Sequence, residues 1–420
     1  MNHSADETRA SLANNLRYFI KWSLIALLIG GTGGLIGSLF SMGVSFATSF
    51  RMNHPNMLFF LPVSGILIVW LYHTFHEEGN RGTNMVIDAI SSTEKVTLAT
   101  GPLIFVSTVL THIAGGSSGR EGAALQLGGS LGNLFGNAIH LDEKDKKIAI
   151  MCGMSAVFSA LFGTPVAAAI FPLEVISIGV LYYAALVPCI FSSFIGVGIA
   201  RYLGIAGEHF TVLSIPAISV SSVGWIIFLS ALCAGVSIVF CLMLHGAEHT
   251  YRKIFPNPYV RILAASAIFI LLTLLIGTRD YCGSSMPLIE RSMEGEIGYE
   301  AFFLKMLFTA IALGAGFKGG EIVPTLCVGA AFGCAFGQIT GFAPSLCAAC
   351  SMAALFAGVT NCPISSLLIA LELFGYEGME YFSIAIAVAF ALSGYYGLYA
   401  SQKFVYSKTK TEFINRKSNK

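Results

Sequence analysis

The chain has 420 residues, 55% of them hydrophobic and only 11% charged, against about 25% charged in an ordinary soluble protein. Its formal net charge of +1 leaves no basic face for nucleic acid, and its ten cysteines lie mostly in apolar runs without disulfide or zinc spacing. Composition therefore predicts a helical membrane protein that crosses the bilayer several times.

Taken in order, residues 1–17 form a polar lead whose Arg9 and Arg17, with Lys21, argue against a cleavable signal peptide. Residues 18–50 are a long apolar run, in which Gly33 and Gly37 have the spacing for close helix contact. Residues 56–75 form a second span, followed by a polar break with Gly82-Thr83-Asn84-Met85. Residues 97–114 lead into Gly115 to Gly136, where Arg120 and Glu121 stand in an otherwise apolar, glycine-rich run. Each charge at such depth costs about 3 kcal/mol on insertion scales, so function is the default reading. The glycines predict a helix that breaks and restarts at Glu121, and a restarted helix offers free N–H groups to an anion. After the polar loop 140–147, residues 148–163 and 164–204 are again apolar, with Pro165 starting a helix. Residues 205–218 mark the midpoint. Cys347 and Cys350 make a C-x-x-C inside an Ala/Leu-rich segment, which suits packing.

The second half repeats the first. At an offset of 201, Gly82 to Met85 matches Gly283 to Met286, and Gly119 to Gly136 matches Gly320 to Gly337. At an offset of 198, Pro165 to Glu174 matches Pro363 to Glu372. Such duplication of broken helices predicts a pathway between the halves, near the midplane. Several spans fall short of the roughly 20 residues of a full crossing, so re-entrant helices are expected. Lys403, Lys408, Lys410, Arg416, Lys417 and Lys420 in the tail, against the single acid Glu412, predict that both termini are cytoplasmic.

Gly119-Arg120-Glu121-Gly122 resembles the G-R-E-G-P signature of the CLC family of chloride channels and anion–proton antiporters, with Ala123 in place of the proline. Gly319-Gly320-Glu321-Ile322-Val323-Pro324 stands where that family has a second signature, and Gly82-Thr83-Asn84 where it has a third. The resemblance implies an all-α polytopic fold of two inverted repeats with broken and re-entrant helices. Its expected division is 1–17 cytoplasmic, 18–215 first repeat, 216–402 second repeat and 403–420 a basic cytoplasmic tail. It also implies a homodimer in the cell membrane that handles a halide and protons, with no enzymatic activity, cofactor or metal. Glu121 is the implied proton and anion gate. Thr83, Asn84, Gly119, Gly122, Ala123, Ile322, Val323 and a tyrosine, Tyr399 with Tyr406 as rival, line the anion path. Val175 occupies the position of the inner glutamate of chloride–proton exchangers. That absence, the altered third signature and Glu321 together resemble the fluoride–proton antiporter branch. Glu321 becomes a second protonatable group.

Competing readings are specific. A chloride–proton antiporter or passive anion channel shares the fold. Glu121 pairs with Arg120, or Glu321 with Lys318, as plain ion pairs; Arg120 anchors the loop; Glu174 and Glu372 are structural. An intramembrane serine protease would use Ser117, in Gly116-Ser117-Ser118-Gly119, with His245 or His249 as base.

Overall fold

Glycine and proline punctuation cuts the apolar runs into helices of very unequal length. The computed structural model describes residues 2–92 and 96–419, with side chains from residue 11 onward. The first half holds α1 (Asn2–Asn53), α2 (Leu61–Thr74), α3 (Thr83–Ser91), α4 (Thr100–Ile113), α5 (Glu121–Ala138), α6 (Glu143–Phe162), α7 (Pro165–Val175) and α8 (Leu186–Tyr202). The second holds α9 (Val220–Ile254), α10 (Pro258–Ile276), α11 (Met286–Glu294), α12 (Ala301–Ala315), α13 (Ile322–Thr340), α14 (Pro344–Thr360), α15 (Pro363–Phe374) and α16 (Met379–Leu392). In both halves a long first helix is followed by a nine-residue third helix and a short seventh one.

Six stretches among the described residues are long and apolar enough to cross a bilayer, including Ser11–Asn53, Val220–Ile254 and Ile322–Thr340. The 35 residues of α9 reach about 52 Å at 1.5 Å each, well beyond a hydrocarbon core of about 30 Å, so this helix is long enough to cross at a tilt or to extend past the bilayer. The shorter helices are shielded by protein. Every residue from Ser345 to Thr360 of α14 is buried, as is every residue from Ile148 to Phe162 of α6. Backbone that ends inside a membrane survives only under such cover.

Glycine makes this packing close. A methyl group on Gly128 would stand 2.2 Å from Gly153 O and one on Gly132 2.1 Å from Ala149 O, so α5 touches α6 backbone to backbone. Their repeat counterpart Gly333 meets Cys347 O at 2.1 Å in the same sense, seating α13 on α14. Gly33 and Gly37 bring α1 onto Ala156 and Ala160 of α6, as their spacing predicts.

The halves are also tied reciprocally. Glu174, at the end of α7, accepts the N–H groups of Ile364 (3.0 Å) and Ser365 (2.8 Å) and the Ser365 hydroxyl (2.6 Å) at the start of α15. Glu372, near the end of α15, accepts those of Val166 (2.9 Å) and Ala167 (2.8 Å) at the start of α7. Each helix thus carries the N-terminal cap of its counterpart, the structural role expected of both glutamates.

Three local features differ from the sequence reading. The polar lead is helical and continuous with the first span: α1 runs unbroken from Asn2. The apolar run 164–204 splits into α7 and α8, with a turn at Gly179, whose φ is +90°. A small sheet joins the helices: β1 (Ser177–Ile178) runs parallel to β2 (Lys403–Tyr406), which is antiparallel to β3 (Phe413–Lys417). The basic tail is therefore a hairpin docked on the end of α7; Lys420 lies outside the described residues.

Candidate functional site

The two glycine-rich turns meet face to face. Gly119 N–H donates to Gly320 O (2.7 Å), and Gly320 N–H donates to Gly119 O (2.8 Å), an antiparallel bridge between equivalent points of the two halves. Just beyond it α5 begins at Glu121, with Arg120 as its N-cap, and α13 begins at Ile322, with Glu321 as its N-cap. The break and restart read from the glycines are both present.

Glu121 is 1% exposed. Its Oε2 accepts the Arg120 N–H (3.0 Å), and its Oε1 lies 3.4 Å from Arg120 Nε. The carboxylate therefore folds back over the helix start. Arg120 is a cap and not a helical residue, so the rule that neighbouring helical side chains diverge does not apply to this pair. The Arg120 guanidinium is mainly an anchor: it donates to Glu208 Oε1 (2.7 Å) and Ser41 Oγ (3.2 Å).

Glu321 is held differently. Its Oε2 is buried without a hydrogen-bond partner. Among the described residues it forms no ion pair with Lys318, whose ammonium instead lies 4.2 Å from the centre of the Tyr72 ring. The two carboxylates flank one turn. A methyl group on Gly119 would stand 3.0 Å from Glu121 Oε2, and one on Gly122 would stand 3.1 Å from Glu321 Oε2. Only glycine leaves room for both.

Each carboxylate faces its own cavity. One, of about 470 Å³, is lined by Glu121, Arg120, Glu208, Arg51 and Ser285. The other, of about 310 Å³, is lined by Glu321, Lys318, Asn84, Gly82 and Ser401. The first-half turn Gly82 to Asn84 lines the second cavity, and its counterpart Gly283 to Ser285 borders the first, as an inverted repeat requires.

Thr83 Oγ1 donates to Gly122 O (3.3 Å). Asn84 Oδ1 accepts the Ser401 N–H (3.0 Å), so its carbonyl is engaged with the chain just after Tyr399. Ala123, Ile322 and Val323 are buried in the first turns of α5 and α13. Tyr399 is 1% exposed and its hydroxyl has no partner. Tyr406 is 46% exposed on β2 and packs on Phe413. Val175 is buried, and its carbonyl accepts from Gln402 Nε2 (2.9 Å).

Ser117 is fully buried and bonded to Thr309 Oγ1 (3.0 Å) and Lys305 Nζ (2.8 Å), so neither His245 nor His249 serves it as a base. Lys305 is the residue the sequence reading passed over. The available signal was a single charge in the apolar run Phe302 to Phe308, the same signal that singled out Glu121. Among the described residues no group of three His, Cys, Asp or Glu side chains is arranged to hold a metal.

A family model described as voltage gated chloride channel matches residues 64–394. A chloride/fluoride channel protein of Pseudomonas syringae pv. tomato is 30% identical over 400 residues, covering 94% of this chain and 88% of that one. An H(+)/Cl(-) exchange transporter, ClcA of Vibrio cholerae, is 25% identical over 380 residues, covering 83% and 81%. Among solved structures, a CLC-type fluoride/proton antiporter superposes with a TM-score of 0.88 at 30% identity, covering 91% of this chain and 98% of that one. A slow cyanobacterial Cl-/H+ antiporter shares the fold, with a TM-score of 0.75 at 19% identity over 89% and 94% of the two chains.

Proposed function

We propose, from the premise that this chain belongs to the voltage-gated chloride channel family, that it exports fluoride in exchange for protons. It is a multi-pass membrane transporter and not an enzyme. The observation that carries the reading is the pair of buried carboxylates on either side of the Gly119–Gly320 bridge, each facing its own cavity.

Deprotonated Glu121 competes with an incoming halide for the donors at the start of α5. Protonation removes its charge, frees those donors and admits the anion; by linkage, an anion in place favours the protonated acid. Acidity on the Glu121 side therefore promotes anion entry. Glu321, with one oxygen unpartnered, passes protons to and from the smaller cavity. Thr83, Asn84, Gly119, Gly122, Ala123, Ile322, Val323 and Tyr399 form the anion path between the cavities. Fluoride is small and strongly hydrated, so a site for it must replace water with close N–H and O–H donors. The unpartnered hydroxyl of Tyr399 supports that demand, and Val175 in place of an inner acid speaks against the chloride exchanger.

Within the same proposal, residues 18–215 and 216–402 are the two repeats, with 1–17 and 403–420 as cytoplasmic ends. The protein works as a homodimer in the cell membrane, with one path per subunit.

The test is reconstitution in liposomes with fluoride or chloride inside and a fixed proton gradient. Fluoride efflux coupled to proton uptake is expected, with chloride much slower, and Glu121→Gln is expected to abolish proton movement. Chloride preferred over fluoride would refute the ion assignment, and proton coupling that survives in Glu121→Gln would refute the gate.

A further inference from the structure

The larger cavity contains a donor set that the exchange cycle above does not use. Lys305 is fully buried. Its ammonium donates to Ser117 Oγ, Gly283 O and Ser285 Oγ, each at 2.8 Å, with Tyr281 O farther off at 3.5 Å. An ammonium has three hydrogens, and all three end on neutral oxygens; no acid pairs with Lys305 among the described residues. A buried cation without an acidic partner is costly, and inside a membrane it marks function.

The two serines differ in where their own hydrogens go. Thr309 Oγ1 donates to Lys305 O (2.8 Å), so the Ser117 hydroxyl donates to Thr309 Oγ1 and is used up. The Ser285 hydroxyl accepts from Lys305 and donates to no atom among the described residues. It is 4% exposed and lines the larger cavity. Accepting from an ammonium polarises an O–H and makes it a stronger donor.

Arg51 lies against the same turn. Its guanidinium would stand 3.0 Å from a methyl group on Gly283, and its buried Nε has no partner. Of the acids bordering the cavity, Glu208 is bonded to Arg120 (2.7 Å), Asp280 to Arg291 (2.6 Å), and Glu121 folds back on Arg120. Arg51 and Arg279 form no salt bridge among the described residues. Part of the cavity lining is thus a hydroxyl whose own hydrogen is uncommitted, backed by a buried cation and flanked by a guanidinium without an acid.

We infer that Ser285, with Lys305 behind it and Arg51 beside it, forms a subsite for a small monovalent anion, a waiting position before Glu121. Its use as a waiting position rests on the anion-exchange reading; its capacity to bind does not. A single O–H donor on a fixed cation favours a compact, hard acceptor, so fluoride binds more tightly than chloride.

Ser285 has φ +60°, so Ser285→Gly removes the hydroxyl without backbone strain. Binding is read by calorimetric titration of the purified full-length protein with sodium fluoride and with sodium chloride. Exchange is read in liposomes as half-saturation against maximal rate. Ser285→Gly is expected to weaken fluoride binding and raise the half-saturating fluoride concentration by about tenfold, leaving the proton-to-anion ratio unchanged because Glu121 is intact. Lys305→Met is expected to lose more, since charge and polarisation go together; if it does not fold, Ser285→Gly decides alone. Unchanged binding and half-saturation in Ser285→Gly overturn the subsite even where wild-type exchange is normal. Wild-type protein that binds fluoride through Ser285 but moves no protons supports the subsite and sinks the exchanger instead.

Discussion

Glu121 and Glu321 differ in what holds them. Glu121 has an N–H donor and a nearby guanidinium, whereas one oxygen of Glu321 is buried alone. An unsatisfied carboxylate oxygen costs free energy, and on the proposal above the partner of this one is a proton that comes and goes. Glu321→Gln preserves shape and removes that proton site. It is expected to slow proton-coupled fluoride exchange on the order of a hundredfold, read with a pH electrode outside loaded liposomes. Exchange at the wild-type rate would leave Glu321 a structural N-cap. The buried place of Glu121 at a helix start was legible in the sequence because a full charge among glycines inside an apolar run marks both a break and a candidate site. The turn of Arg120 toward it was not, because it depends on which residue caps the helix. Lys305 carried the same signal as Glu121, but its partners lie between 20 and 188 positions away in the chain, and no local pattern names them.

Among the elements, α7 and α15 show how a duplicated sequence closes on itself. Each supplies the carboxylate that caps the other's first turn, so neither is complete without its counterpart. Glu372→Ala leaves two N–H groups without acceptors in a protein-lined setting and is expected to cost about 2 kcal/mol. Glu174→Ala is expected to cost more, because the Ser365 hydroxyl also loses its acceptor. Unfolding of such a protein is operationally a rate, so the measurement is the half-life of the detergent-solubilised protein at fixed elevated temperature, shortest for Glu174→Ala. Equal half-lives for both variants and the wild type would reduce the reciprocal caps to incidental contacts. Proline at the start and glutamate near the end of both segments made the helices and their equivalence readable. The split of residues 164–204 was not readable, since both pieces are apolar and the turn at Gly179 is stabilised by β2, which is far away in the chain.

At the scale of the whole molecule, the proposed exchange needs the two cavities to open to opposite sides of the membrane. The larger is lined by residues at the far end of α1 from its N-terminus, Ser49 among them. The smaller is lined by Ala400 and Ser401, beside the C-terminal hairpin. Between them stand the backbone bridge and the two carboxylates, so on the proposed gate role a passage open at both ends requires Glu121 to leave. If both termini are on one side, as the lysines and arginines of the tail imply, the smaller cavity opens toward the termini and the larger away from them. All ten native cysteines are buried, which gives a low background for thiol labelling. Ala400→Cys and Lys410→Cys, both at exposed positions, are expected to react with a membrane-impermeant maleimide from the same side. Ser49→Cys, also exposed, is expected to react only from the other. Labelling of Ser49→Cys and Ala400→Cys from one side would place both cavities in a single vestibule. A proton and a halide could not then be exchanged across the membrane by the competition at Glu121.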